Sequence, residues 1–194
     1  MARIPLPARD AMTAEQATVH DQVVAGPRGT IIGPLRAAIH NPELATAWSA
    51  LGEVLRFRTS LPKRLSELAI IMTARRYNSQ VEWWVHARAA TEAGLPVAVI
   101  DAIREGRAPR FDDAAEAEIH AFTRALHHDA KVPLPVYNAV LARWGARGVV
   151  DLTALIGYYT MVSFTLNAHE IPLPDGVATP LVGDTLTPLP EAAA

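Results

Sequence analysis

The feature that most constrains this chain is a helix opened by Pro62, which carries Leu65-Ser66-Glu67-Leu68-Ala69-Ile70-Ile71-Met72 and is apolar on almost every side. A helix with no face to give to water belongs in the middle of a fold, with other helices packed around it. The remaining apolar residues recur at helical spacing. Leu44, Ala47, Trp48, Leu51, Val54 and Leu55 fall three and four apart after Asn41-Pro42, which supplies an N-cap and a first helical residue. Leu152, Leu155, Ile156, Tyr159, Val162 and Leu166 repeat the pattern between Asp151 and Ala168. No alternating strand pattern of any length interrupts them. The expected fold class is all-α, with about seven or eight helices.

Local signals divide the chain further. Thr13 stands three residues before Gln16, a capping box for a helix reaching about Ala25. Tyr77-Asn78-Ser79 is expected to be a turn, and the helix after it stops at Gly94-Leu95-Pro96. A short helix closes at Gly106, and Asp112-Asp113 caps a longer one with Ile119, Phe122 and Leu126. A short helix from Pro135 is expected to end near Trp144-Gly145, before the last one opens at Asp151. Three regions result: residues 1–40, an arm and first helix; residues 41–170, a helical core; and residues 171–194, a Pro-rich tail expected to be extended or disordered.

Composition narrows the chemistry. The chain of 194 residues has no cysteine, which removes disulfides, thiolate metal sites and thiol peroxidase mechanisms. Its net charge is −2 and its basic residues are scattered, so no nucleic-acid partner is expected. The N-terminus lacks the apolar run of a signal peptide, and no uninterrupted apolar stretch reaches the roughly 18 residues of a membrane span. A soluble, cytoplasmic protein without a membrane partner is the expectation.

Glu82 and His86 are four apart, so on a helix they share a face, and Ser79 projects the same way from the first turn. A carboxylate beside an imidazole fixes its tautomer and raises its basicity. The same pair also occurs on solvated faces. Glu67 is the one acidic residue inside its apolar run, and it must reach solvent, find a partner or stay protonated. A turn at Asn78 would fold the two helices together and bring Glu67 towards His86. Two carboxylates and a histidine facing one apolar cleft would make a proton-transfer site.

The run from Leu65 to Pro96, with ELAI at Glu67–Ile70, Ala74-Arg75, EWWVH at Glu82–His86 and AGLP at Ala93–Pro96, resembles the carboxymuconolactone decarboxylase family. The stretch VDLTALIGYYTMVSFTLNAHEIPLP, Val150 to Pro174, resembles the closing helix of its longer members. The resemblance implies an alkylhydroperoxidase D-like helical bundle. Thiol-dependent members of that superfamily carry a Glu, a Cys-x-x-Cys pair and a His; here Glu67 and His86 match, while Ser79 and Glu82 stand at the cysteine positions. Thiol turnover of a peroxide is therefore excluded at this site.

For the decarboxylase branch, the resemblance implies a cofactor-free reaction on a small lactone or organic acid. His86 would be the general acid, oriented by Glu82, with Glu67 as a second proton-handling or orienting group. Arg75 would clamp a substrate carboxylate, with Ser79 and Trp83 completing the substrate-binding set. The resemblance also implies a homotrimer or hexamer. Of Trp83 and Trp84, adjacent on a helix, one is expected in the core and the other outward. Two rival classes remain open: a non-enzymatic helical oligomer or small-molecule binder, and a metal-dependent enzyme using Glu67, Glu82, His86 and His169. His127-His128 at a helix C-terminus is most simply read as a helix-dipole feature.

Overall fold

The computed structural model describes residues 2–183 and 186–193; residues 1, 184, 185 and 194 of the two termini lie outside the described residues. Among the described residues every regular element is helical. The α-helices are α1 (Ala14–Ala25), α2 (Pro34–Ala38), α3 (Pro42–Phe57), α4 (Lys63–Arg76), α5 (Gln80–Glu92), α6 (Val97–Glu105), α7 (Ala114–Asp129) and α8 (Leu134–Ala168), after one 3-10 turn at Arg9–Ala11. The fold is all-α.

Helix α4 is the central element, as its composition requires: every residue from Leu65 to Arg75 is buried, and α5, α7 and α8 pack around it. The caps follow the sequence signals. Thr13 and Gln16 form the reciprocal capping box of α1. Asn41 Oδ1 accepts from Leu44 N at 3.1 Å ahead of α3, and Asp113 accepts from Ala115 N ahead of α7. Between α4 and α5 the chain reverses tightly at Asn78 (φ 50°), whose side-chain oxygen accepts from Arg75 Nη1 at 3.0 Å. That reversal lays α5 against α4, which is the condition for the expected site.

The C-terminal region departs from the expectation. The loop placed between Gly145 and Asp151 is helical, and α8 is one span of 35 residues broken only at Gly145 (φ 67°, ψ −176°). Val149 is 5 % exposed, and burying it prolongs the second half of α8 backwards towards the break. By length and composition α8 could cross a membrane, but half of its most apolar window is buried inside the fold, where it serves as core. Of the two states expected for the tail, the described residues take the extended one. Ile171, Leu181 and Leu189 are buried, Thr187 N donates to Arg76 O at 2.9 Å, and Arg124 Nε donates to Leu189 O at 2.9 Å. The tail thus straps the end of α4 to α7.

Candidate active site

Three of the expected residues meet. Glu67 comes from the second turn of α4 and His86 from the middle of α5, brought together by the reversal at Asn78. His86 Nδ1 lies 2.6 Å from Glu67 Oε2, and Nε2 lies 2.9 Å from Glu82 Oε1 one turn earlier on α5. All three side chains are buried: Glu67 is 3 %, Glu82 5 % and His86 3 % exposed. Each ring nitrogen faces a carboxylate, so the imidazolium, with two N–H donors, satisfies both contacts. Burial opposes that charge, yet the attraction of Glu82 and Glu67 outweighs it and lifts the His86 pKa to about 9.

A cavity of about 50 Å³ opens beside the ring. Glu82 and His86 line it with Tyr158 and Tyr159 of α8, and Glu67 does not. The carboxylates therefore occupy different places, Glu67 behind the ring and Glu82 at the cavity. Tyr159 stands edge-on to His86, ring centroids 5.0 Å apart, and burial holds its phenol pKa well above the ordinary value. Burial raises that of Tyr158 as well. Ile32, Gly33, Val81 and Val85 belong both to this cavity and to an outer groove of about 430 Å³. The groove therefore adjoins the cavity along these residues.

The structure does not bring the expected binding residues to this cavity. Arg75 lies eight residues beyond Glu67, about 12 Å further along α4. Its Nη1 donates to Asn78 Oδ1 at 3.0 Å and Thr187 Oγ1 at 2.8 Å, so it ties the turn and tail together. Ser79 is fully buried at the N-cap position of α5. Trp83 points into the core at 2 % exposure, and Trp84 is the outward member of the pair and borders the outer groove. His169 caps α8, where its backbone oxygen accepts from Arg3 N. Among the described residues no group of three or more His, Asp or Glu side chains is arranged to hold a metal ion.

The helix-dipole account of His127 does not hold. His127 is half-buried beside Thr73 and Tyr77, and loss of solvation there, with Arg76 nearby, lowers its pKa to about 4, which keeps it neutral. Sequence reasoning missed Arg28, Arg56, Tyr158 and Tyr159 as cavity walls. Tyr159 had been read only as part of an apolar stripe, and nothing local marks Tyr158 or the arginines.

The fold is alkylhydroperoxidase D-like. An uncharacterized peroxidase-related protein from Ralstonia eutropha JMP134, with an alkylhydroperoxidase AhpD core, superposes with a TM-score of 0.71 at 14% identity, covering 90% of this chain and 93% of that one. A peroxidase-related protein from Silicibacter sp. TM1040 gives 0.70 at 15% identity, covering 88% and 91%. A cysteine-to-alanine variant of the debrominase Bmp8, bound to 2,3,4-tribromopyrrole, gives 0.67 at 16% identity, covering 92% of each chain. No curated protein matches the chain. Residues 42–125 match the model of the carboxymuconolactone decarboxylase family.

Proposed function

We propose that the chain is a proton-transfer enzyme of the decarboxylase type that needs no cofactor and acts on a small organic or lactone acid. The observation that carries this reading is His86, held by carboxylates at both ring nitrogens beside a small cavity. At neutral pH its imidazole carries the proton that such a reaction must deliver. When a carboxylate leaves a carbon conjugated to a lactone carbonyl, the C–C bonding pair passes into an enolate and CO2 departs. The enolate carbon then takes a proton. Glu82, at the cavity, receives a proton from His86 Nε2 and hands it on, and solvent restores the imidazolium. Glu67 is a positioning residue on Nδ1, the orienting one of the two roles expected of it, and Glu82 handles the proton. Tyr159 and Tyr158, kept protonated by burial, are donors for the developing oxyanion.

The test is an assay of carboxymuconolactone and related small lactone acids in D2O, followed by ultraviolet absorbance and NMR. The reading expects loss of CO2 with deuterium at the carbon that lost it. His86→Gln should lower kcat roughly 10²–10⁴-fold, the range for a removed general acid, with the helical signal unchanged. Turnover of no acid in the panel, or equal turnover by His86→Gln, would contradict it.

A further inference from the structure

The cavity beside His86 has a cationic wall that proton transfer alone does not explain. Arg28, on the segment between α1 and α2, and Arg56, near the end of α3, both line it. Arg28 Nη2 donates to Tyr158 Oη at 3.4 Å, and Arg28 Nε is buried without a hydrogen-bond partner. The Arg56 guanidinium carbon lies 5.4 Å from the ring centroid of Phe57. Among the described residues neither guanidinium is ion-paired, whereas Arg9 is paired with Asp21 and Arg143 with Glu118. A guanidinium lodged in a cavity wall without an anion leaves its desolvation uncompensated.

Charge counting gives the same direction. The carboxylates of Glu67 and Glu82 with one imidazolium leave one net negative charge, and two guanidinium groups turn it into one net positive charge. A single carboxylate brings this group of five side chains to neutrality. Gly52 supplies the room for this wall: a Cβ there would stand 2.1 Å from Tyr158 Oη and 2.2 Å from Arg28 Nη2.

We propose that Arg28 and Arg56 are the substrate-recognition pair of this cavity and that they select a small organic acid through one ionised carboxylate. This rests on the proton-transfer reading for its word substrate, but the binding claim stands apart from turnover. The pair takes the clamp role expected of Arg75, which lies elsewhere, and it discriminates against neutral esters, amides and lactones of the same shape. Arg28 Nε–H and the Arg56 fork donate charge-assisted hydrogen bonds to the carboxylate. The rest of the ligand extends past Ile32 and Gly33 into the outer groove.

The experiment is calorimetric titration of the full chain with 2-furoate and with its neutral isostere 2-furamide. The proteins are wild type, Arg28→Gln, Arg56→Gln, the matching Arg→Lys variants and His86→Gln. The expected result is furoate binding that weakens roughly tenfold to a hundredfold in each Gln variant, as loss of a hydrogen bond to a charged group does. The Lys variants should fall between, which separates lost charge from lost folding, and furamide should bind weakly and alike throughout. Furoate binding unchanged by both Gln substitutions, furamide binding as tight as furoate in the wild type, or no furoate binding at all would each overturn the proposal. If arginine-dependent binding survives in His86→Gln while the wild type turns over no acid, the recognition pair stands and the proton-transfer reading falls.

Discussion

Glu67, Glu82 and His86 were legible as residues because each breaks a pattern. Glu67 interrupts an apolar run, and Glu82 and His86 share a helix face one turn apart. Their division of labour was not legible, since only the cavity distinguishes the carboxylate behind the ring from the one in front. The trio also sets a pH dependence. The folded chain holds the His86 proton up to about pH 9, whereas an unfolded histidine releases it near the ordinary value of 6.5. Its stabilisation is complete below pH 6.5 and fades as pH rises through 9. His120 and His127 act oppositely. Burial lowers both to about 4, so their contribution is present above pH 6.5 and is lost as pH falls through 4. Thermal unfolding should therefore peak near pH 6.5, with the basic limb removed by His86→Gln and the acid limb softened by His127→Gln. A melting temperature flat from pH 6.5 to 9 would contradict the assignment of His86.

At the scale of elements, punctuation was easier to read than orientation. Caps and stops fell where Thr13, Asn41, Asp113 and Gly106 put them. The face of α3 was not so clear: Trp48 and Leu55 turn inward with Ala45 and Gly52, while Leu44, Leu51 and Val54 from the same stripe stay exposed. A stripe wide enough to be counted as one face is wider than the surface that α1, α2 and α8 cover. The inward position of Gly52 has a consequence that can be measured. Gly52→Ala should lower the unfolding free energy from denaturant titration by about 1–3 kcal/mol, because its methyl group must displace Tyr158 and Arg28. Gly157→Ala, on α8 with nothing within 4 Å of the added carbon, should be neutral or stabilising by up to about 1 kcal/mol. Equal effects in the two variants would remove the close approach from the account.

Across the whole molecule, the family segment and the site do not coincide. Residues 42–125 contain Glu67, Glu82, His86 and Arg56, but Arg28, Tyr158 and Tyr159 lie outside that match and close the cavity from both ends of the chain. No local pattern announces such a wall, because its members are separated by more than a hundred residues and meet only through the packing of α3, α5 and α8. The same holds for the tail, whose prolines mark it as irregular while its grip on Arg76 and Arg124 depends on where α4 and α7 end. The central claim is that these parts keep one histidine doubly protonated between two carboxylates, ready to deliver a proton. Nitrogen-15 NMR of the intact, histidine-labelled protein tests it without a substrate. The account predicts that both His86 ring nitrogens carry protons at pH 7.5 and titrate near pH 9. A neutral single tautomer of His86 at pH 7.5, titrating near the ordinary value, would contradict it.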